Sequence, residues 1–553
     1  MSLVSRLLSM QGSFAWRSFN RAMQDPDATQ LRLLRQILKA NAETAFGREH
    51  GFASIGGFEE FRDSVQIGDY ETVRPWVNRI MAGERGVLTR DDPYLFAMTS
   101  GTAGQPKLIP VTTATSKFVG ALSRLWLYRS TVDHPGTLDH KALIIVSPAI
   151  EGYTDGGIPY GSASGYIYRN AAWVVRRRYA VPYPVFGVKD YEAKYYAIMR
   201  FAIEQQLSLL ATPNPSTILR LMDTANAHAQ RLIRDVHDGT ISDDADIEPD
   251  LRAELTALLP PNTARAAELE SILDREGVLR PRDYWPRLAL VACWKGGSVG
   301  ATVERLSPWF PDGMAFRDPG FLASEANFTL PIQDEGSRGI LAVTGNVYEF
   351  IPEDDIDSSS PRILTAGQLV DGESYYIIVT TQSGFYRYDI NDVVRVNGFH
   401  NRTPKIEFLR KGRDMLSLEG EKLHVSQLIE AMREAQASTG VAVEYFRALG
   451  HPTANRYSLQ LELRDAAAPD DALVRLGRAV DEGLSRLNIE YEQKRESGRL
   501  HPLLIQVMAD GWSSRRLAAK MANAVRDVQY KDALLALAGD DADESEVRRE
   551  LAL

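Results

Sequence analysis

The stretch YYIIVTTQSGFYRYDINDVVRVNGF, residues 375–399, is the part of the chain whose local structure is easiest to predict. β-Branched and aromatic residues dominate it, and Ser383-Gly384 and Asn397-Gly398 are turn signals between strand-length runs. This composition predicts antiparallel strands. Together with the apolar run ILAVTGNVYEFIP at 340–352, it predicts a β-rich subdomain over about 340–410.

The chain that precedes this subdomain alternates between helical and strand patterns. Its first 50 residues carry apolar side chains at helical spacing. KALIIVSPA at 141–149 and LALVACW at 288–294 are apolar runs typical of strands that are buried on both faces. We therefore expect residues 1–410 to form one large α/β body that contains the β-rich subdomain.

The chain that follows the subdomain is predicted to be a separate, smaller domain. A polar junction at 411–415 is the expected hinge, and residues 416–553 have the size and alternating pattern of a C-terminal α+β domain. The last stretch, GDDADESEVRRELAL at 539–553, is expected to be a loose or peripheral tail. The predicted elements of this domain are helices at 425–437 and 470–487 and strands at 441–449, 456–464 and 502–508.

The composition excludes several classes of protein. The chain has 553 residues and a net charge of −10, from 63 Lys and Arg against 73 Asp and Glu, so an extended nucleic-acid surface is not expected. A single cysteine, Cys293, excludes an intramolecular disulfide and a cysteine metal cluster. No apolar stretch approaches the ~20 residues that cross a bilayer, and the N-terminus lacks a secretory signal. We expect a cytoplasmic protein without a membrane partner.

Lysine is scarce in this chain. Only 13 of the 63 basic residues are lysine, an imbalance typical of a GC-rich genome, and we expect a bacterial source. A lysine that falls inside a motif is therefore stronger evidence for a function than an arginine would be.

The sharpest functional motif is TSGTAGQPK at residues 99–107. Its glycines let backbone N–H groups approach an anion, its hydroxyl groups add donors, and its lysine adds a positive charge. It lacks the Gly-Lys-Ser/Thr order of a Walker A loop, so a phosphate loop and an ordinary Thr/Gly turn are both open interpretations. The residues that would contact phosphate are Thr99, Ser100, Gly101, Thr102, Gly104 and Lys107.

The motif resembles the phosphate loop of the adenylate-forming enzyme superfamily, and later segments resemble other motifs of that superfamily in the same order. VYEFIP, YRYDINDVVRVNGFHNRTPKIEF and VQYK are similar in detail to the Gretchen Hagen acyl acid–amido synthetases, which couple carboxylic acids to amino acids. Two departures are Asn391, where glycine is usual, and Ala323, where serine is common. We expect Asn391 to be tolerated, because asparagine accepts left-handed backbone geometry better than most residues. The later segments are Gly320–Glu325 (adenine and magnesium motif), Tyr386–Asp392 (ribose motif), Gly412–Lys422 (hinge motif) and Gln529–Lys531 (catalytic lysine).

The resemblance implies a role for each matching residue, and each role has a plainer alternative. Glu325 would bind Mg²⁺, or be a solvated surface glutamate. Phe321 would stack on adenine beside Ala323 and Ser324, or be a core aromatic residue. Asp392 would accept the two ribose hydroxyl groups of ATP, or be a turn aspartate at a strand end.

Three basic residues of the later motifs complete the implied site. Arg413 and Lys422 would contact the nucleotide, or form local ion pairs with Asp414 or Glu419. Lys531 would neutralise charge that develops during adenylation, or be a solvent-facing helix lysine.

The sequence thus predicts a ligase that uses ATP and Mg²⁺ to convert a carboxylic acid to acyl-AMP and then transfers the acyl group to an amine, with an amino acid as the expected acceptor. A thioester-forming ligase that uses coenzyme A or a carrier protein is the alternative enzyme. Gly296–Gly300 also satisfies the G-x-S-x-G pattern of a serine hydrolase with Ser298 as nucleophile, but the chain has no separate oxyanion loop. The residues that bind the acid are left open, with Arg124 and Arg129 as candidates, and so is the oligomeric state.

Overall fold

A computed structural model gives the tertiary structure of the chain. It describes residues 3–99, 107–296, 300–356, 358, 360–412, 415–416, 418–419, 421, 423–522, 534–539 and 543–553. The chain divides into two units, Met1–Phe408 and Leu409–Leu553. The hinge at 411–415 stays a prediction, because Arg413 and Asp414 lie outside the described residues.

Helices of the first unit surround its sheets. They are α1 (Leu3–Ala22), α2 (Pro26–Asn41), α3 (Ala45–Glu49), α4 (Phe58–Ser64), α5 (Tyr70–Met81), α6 (Thr113–Asp133), α7 (Ala163–Arg169), α8 (Trp173–Arg176), α9 (Tyr191–Ile203), α10 (Pro215–Ala227), α11 (Ala229–Asp238), α12 (Pro249–Thr256), α13 (Thr263–Glu276), α14 (Pro281–Tyr284) and α15 (Gly300–Leu306).

The strands that begin in the first unit are β1 (Leu95–Thr99), β2 (Lys107–Val111), β3 (Lys141–Ile144), β4 (Gly152–Tyr153), β5 (Pro159–Gly161), β6 (Leu207–Ala211), β7 (Leu290–Ala292), β8 (Phe316–Arg317), β9 (Thr329–Leu330), β10 (Gly339–Leu341), β11 (Val347–Pro352), β12 (Ser374–Thr380), β13 (Tyr388–His400) and β14 (Thr403–Lys411). They form sheets of order β2-β1-β5-β4, β3-β6-β7-β8 and β11-β12-β13-β14-β10-β9.

The sheet β3-β6-β7-β8 is parallel throughout and is the α/β centre of the first unit. Its strands β6 and β7 are almost entirely buried, as continuous apolar runs in a parallel sheet should be. Two helices that lie between its strands in the chain, α9 and α10, begin at capping side chains: Asp190 accepts a bond from Ala193 N at 2.7 Å, and Asn214 accepts one from Ser216 N at 3.0 Å.

The largest sheet contains the predicted β-rich subdomain. Strands β12 and β13 come from the 375–399 stretch and pair antiparallel, as expected. The run at 340–352 forms two strands and not one, because a turn at residues 342–346 separates β10 from β11. The buried Gln30 of α2 stabilises that turn, since its amide donates to Val343 O at 2.6 Å and to Asn346 O at 2.8 Å.

The second unit has a sheet of order β20-β17-β18-β19-β21 and a two-stranded ribbon β15-β16. Its strands are β15 (Met415–Leu416), β16 (Leu423–His424), β17 (Val443–His451), β18 (Arg456–Leu463), β19 (Leu504–Met508), β20 (Leu535–Leu537) and β21 (Val547–Ala552). Its helices are α16 (Val425–Thr439), α17 (Asp470–Leu487), α18 (Ile489–Glu496) and α19 (Trp512–Ala522).

The C-terminal stretch is peripheral, as one of the two alternatives predicted, but it is not loose. Residues 547–552 form β21, which pairs antiparallel with β19 and closes one edge of the sheet. Leu551 and Leu553 pack against the core of the second unit. Leu551 and Leu553 occupy alternate positions and are half-buried, so this end of the chain stays on the sheet although the stretch 539–553 is rich in acidic residues. Among the described helices, none is long and apolar enough to cross a membrane.

Candidate active site

The predicted phosphate loop connects the two strands of a hairpin. Thr99 is the last residue of β1 and Lys107 the first of β2, and the two are paired across the antiparallel ladder. Ser100, Gly101, Thr102 and Gly104 lie outside the described residues. The half-buried Lys107 therefore stands at the base of the loop, where the strand holds its backbone.

The side chain of Tyr70 is hydrogen-bonded to the outer edge of strand β2. Tyr70 begins helix α5, which Asp69 caps by accepting bonds from Glu71 N at 3.0 Å and Thr72 N at 3.2 Å. The Tyr70 hydroxyl accepts a bond from Leu108 N at 2.8 Å and donates one to Leu108 O at 3.0 Å. No sequence pattern marked this residue, because a lone tyrosine in an amphipathic helix has no local signature.

The predicted adenine and magnesium motif forms a tight turn. Leu322 and Asn327 form an antiparallel bridge, and Ala323 N donates to Ala326 O at 2.9 Å. These bonds place Ser324 and Glu325 at the tip of the turn, where both are half-buried.

The ring of Phe321, at the base of this turn, is already in contact with other aromatic rings. It stacks on Phe328 with centroids 4.3 Å apart and planes at 14°, and it lies 5.4 Å from Phe408 at a tilt. One face is therefore occupied by the protein, and an adenine ring would have to stack on the opposite face.

The turn is anchored to the carboxyl edge of the parallel sheet, the position at which open α/β sheets bind ligands. The buried Asp318, just after β8, accepts bonds from Lys295 N and Gly320 N, each at 2.7 Å. The indole N–H of Trp294 donates to Gly320 O at 3.1 Å. Burial raises the pKa of Asp318 to about 6, although the two N–H bonds and the Lys295 charge oppose the rise.

Two buried phenols connect the motifs electrostatically. Burial raises the pKa of Tyr70 and of Tyr388, and the Glu325 carboxylate adds to the rise in both. The ammonium group of Lys107 lies 5.5 Å from the centre of the Tyr70 ring. Lys107, Glu325 and Tyr388 come from three separate motifs, and the fold brings all three around Tyr70.

The predicted ribose motif contains an irregular strand. Val393 pairs with Tyr376 and Asp389 with Ile378, so residues 390–392 bulge opposite a single residue of β12. Asn391 has φ 60°, the left-handed geometry in which asparagine can replace glycine. Asp392, within the bulge, is 2% exposed, so little of its carboxylate is open to a ligand in this state.

A buried ion-pair cluster holds the start of the same motif. Arg387 has φ 46°, a strained geometry for a long side chain. Its guanidinium donates to Glu349 Oε2 at 2.9 Å and to Val65 O at 2.7 Å, and its backbone N–H donates to Thr380 Oγ1 at 2.9 Å. Arg62 donates to the other oxygen of Glu349 at 2.7 Å. These bonds together fix a backbone that would otherwise relax, and sequence reasoning assigned a role to none of these side chains.

The remaining predicted residues have mixed outcomes. Arg413, Lys422 and Lys531 lie outside the described residues, and so does Ser298. Of the two arginines considered for the substrate acid, Arg129 pairs with Asp133 at 3.0 Å and lies over the ring of Trp16, whereas Arg124 is exposed.

Two further observations concern the alternative chemistries. His400, which follows the G-x-S-x-G pattern in the chain, is hydrogen-bonded to Asn20 of α1 at 2.7 Å and contacts the ring of Trp16.

Within the described ranges, no three His, Cys, Asp or Glu side chains form a group that could hold a metal ion by themselves. Glu325 offers one carboxylate, which suits an ion that takes its other ligands from phosphate and water.

Family models and known relatives match the chain over most of its length. The N-terminal, central and C-terminal domain models of the GH3 family match residues 15–314, 339–411 and 426–537. Indole-3-acetic acid-amido synthetase GH3.3 of Arabidopsis thaliana is 23% identical over 547 residues, which cover 94% of this chain and 90% of the relative. Probable indole-3-acetic acid-amido synthetase GH3.4 of Oryza sativa subsp. japonica is 27% identical over 550 residues, which cover 92% and 86%.

Solved structures confirm the predicted fold class. The AtGH3.15 acyl acid amido synthetase in complex with 2,4-DB has a TM-score of 0.84 at 19% identity and covers 98% of both chains. The 2-hydroxyisobutyryl-CoA ligase in its postadenylation state has a TM-score of 0.56 at 12% identity, covering 94% of this chain and 90% of the ligase. The chain therefore shares the fold of these two ligases. A bacterial source stays a prediction, because the relatives named above are plant proteins.

Proposed function

Because this chain belongs to the GH3 family, we propose that it is an AMP-forming ligase that joins a carboxylic acid to an amino acid. In the first step a carboxylate oxygen of the acid attacks the α-phosphorus of ATP, and pyrophosphate leaves. In the second step the amine nitrogen attacks the acyl carbon of the acyl-AMP, AMP leaves, and the nitrogen loses a proton. The names of the plant relatives, which are acid-amido synthetases, support this class of reaction.

The convergence of three distant motifs on Tyr70 is the observation that carries the proposal. Lys107 lies 5.5 Å from its ring, and the Glu325 carboxylate acts on its phenol and on that of Tyr388. The ammonium group of Lys107 would neutralise part of the charge of a bound triphosphate. The Glu325 carboxylate would orient the triphosphate through a bound metal ion. An ordinary Thr/Gly turn at 99–107 would not require these partners.

Each group of this set has a chemical task in adenylation. A carboxylate and a triphosphate repel each other, so cations and N–H dipoles must offset their charge before the bond to phosphorus can form. Lys107 and the 99–107 loop would hold the β- and γ-phosphates. Glu325 would hold Mg²⁺ together with phosphate and water oxygens, and the bound ion would neutralise phosphate charge.

The remaining predicted residues would bind the nucleoside and complete the catalytic set. Phe321, Ala323 and Ser324 would contact adenine, on the face of the Phe321 ring opposite Phe328. Asp392 would accept the ribose hydroxyls, which requires the surrounding chain to open because the carboxylate is almost fully buried. Arg413, Lys422 and Lys531 keep the roles that the family resemblance implies.

A matrix of carboxylic acids against amino acids tests the proposed function. Each pair is incubated with ATP and Mg²⁺, AMP and pyrophosphate release are measured, and products are identified by mass spectrometry. We expect at least one acid to support ATP–pyrophosphate exchange without an acceptor, and an amide when the right amino acid is added. Thioester formation with coenzyme A, and no amide with any amino acid, would favour the alternative ligase.

The metal role of Glu325 has its own test. Glu325→Gln removes a negative charge from the proposed ion shell and should weaken Mg²⁺-dependent exchange by at least ~10-fold. Glu335→Gln, a change at an exposed glutamate of the same unit, is the matched control and should leave exchange unchanged. A folded Glu325→Gln variant with the magnesium dependence of the wild type would contradict the assignment.

A further inference from the structure

The Tyr70 hydroxyl satisfies both backbone groups of one residue on an edge strand. Strand β2 is the outer strand of the sheet β2-β1-β5-β4. A residue whose N–H and C=O point away from the sheet needs a partner that is not a strand. At Leu108 that partner is Tyr70, whose hydroxyl accepts from the N–H at 2.8 Å and donates to the C=O at 3.0 Å.

Leu108 is the neighbour of Lys107, so this contact fixes the backbone from which the lysine side chain extends. The ring of Tyr70 acts on the same side chain, because its negative face attracts the ammonium group at 5.5 Å. Arg74 lies 4.8 Å from the ring as well, but it is held by Glu71 in a pair with N–O distances of 2.6 and 2.7 Å. Lys107 is the other cation beside the ring.

Tyr70 is itself held rigidly. It is 3% exposed, it occupies the first position of a capped helix, and its ring contacts that of Phe385, just before the ribose motif, at 6.3 Å. A side chain with one rotamer and two fixed hydrogen bonds can transmit the position of helix α5 to strand β2.

We propose that Tyr70 is a positioning residue for adenylation. Its hydroxyl fixes strand β2 at Leu108, and its ring aligns the ammonium group of Lys107. Together these contacts fix the position of the positive charge that meets the phosphates of ATP. This inference rests on the proposed function, and it assigns to Tyr70 no contact with the substrate. Because Lys107 would meet only the phosphates, Tyr70 should matter for acyl-AMP formation and not for amide formation.

Tyr70→Phe is the primary test, since it removes the hydroxyl and keeps the ring. We expect kcat/KM for ATP in pyrophosphate exchange to fall about tenfold, because two hydrogen bonds to Leu108 are lost. Amide formation from preformed acyl-AMP should stay within about twofold of wild type. Tyr70→Met, which also removes the ring, should lower exchange further. Tyr94→Phe is the matched control, since that half-buried hydroxyl bonds Ser116 of α6 and not strand β2.

A double-mutant cycle with Lys107→Gln separates positioning from a general loss of stability. If Tyr70 acts through Lys107, adding Tyr70→Phe to Lys107→Gln should change exchange by less than about twofold. Multiplicative effects in the double variant, or equal damage to both half-reactions, would overturn the inference while leaving the proposed function intact. If the wild-type protein shows no pyrophosphate exchange with any of the tested acids, both the inference and the proposed function are overturned.

Discussion

Replacing Glu349 by glutamine tests whether a buried charge holds the ribose motif in its strained geometry. Glu349 is 2% exposed, and its two oxygens accept bonds from Arg387 at 2.9 Å and Arg62 at 2.7 Å. The side chain of Arg387 is only 3% exposed, so water cannot replace the lost carboxylate there. Glu349→Gln keeps the shape of the side chain and removes the charge.

The expected loss follows from this burial. Removing one partner of a buried ion pair typically costs about 3–5 kcal/mol, because the remaining charge is left uncompensated. At 1.36 kcal/mol for each factor of ten, the folding equilibrium constant of the first unit should fall about 10²- to 10⁴-fold. Arg387 also has φ 46°, a geometry that persists only while surrounding bonds impose it, so residues 386–392 should relax in the variant.

Urea denaturation, followed by tryptophan fluorescence, measures the loss. Glu373→Gln, at an exposed glutamate in the same sheet region, should change the free energy of unfolding by no more than about 0.5 kcal/mol. The double variant Glu349→Gln/Arg387→Met should recover part of the loss, because it removes both charges. A loss below about 1 kcal/mol in Glu349→Gln would refute the reasoning, since it would mean that Arg387 finds another partner or solvent.

The remaining predictions concern pH, the catalytic lysine and the hydrolase motif. Because burial raises the pKa of Asp318 to about 6, the folded state holds that proton more tightly than the unfolded state, and stability should fall by about 2 kcal/mol as the pH rises from 4 to 6. Asp318→Asn should abolish this contribution in urea titrations, and an unchanged slope would contradict it. Lys531→Ala should reduce pyrophosphate exchange by at least ~10²-fold, yet keep amide formation from preformed acyl-AMP within about tenfold; equal damage to both steps would argue against a lysine confined to adenylation. Ser298→Ala should leave exchange largely intact, and complete loss of activity in a folded variant, with fluorophosphonate labelling of the wild type, would favour a hydrolase.

Features that depend on neighbouring residues in the chain were predictable. Strand propensity and the turn residues Ser383-Gly384 predicted the antiparallel pairing within 375–399, and continuous apolar runs predicted β3 and β7. The prediction of a turn at Asn397-Gly398 is wrong, because both residues lie inside β13 and the turn follows at residues 401–402. Motif spacing and the family resemblance predicted the fold class and the reaction class. Asn391 was correctly expected to tolerate a left-handed backbone, because that tolerance belongs to the residue itself.

Features that depend on contacts between distant residues required the tertiary structure. The break between β10 and β11 depends on Gln30, more than 300 positions earlier in the chain, whose amide satisfies the carbonyl groups of the turn. The C-terminal strand β21 forms because β19 has a free edge, which no property of the tail itself reveals.

The same division applies to the candidate site. The sequence by itself predicted the residue types that the proposed reaction needs, because Lys107, Glu325 and Asp392 belong to short motifs whose chemistry can be recognised without coordinates. Only the tertiary structure decided that Tyr70 lies between these motifs, that Glu349 and Arg62 hold Arg387, and that Asp318 joins two strand ends. The physical reason is that the chemistry of a motif depends on residues adjacent in the chain. The burial of a side chain and its hydrogen-bond partners depend instead on distant segments that pack together.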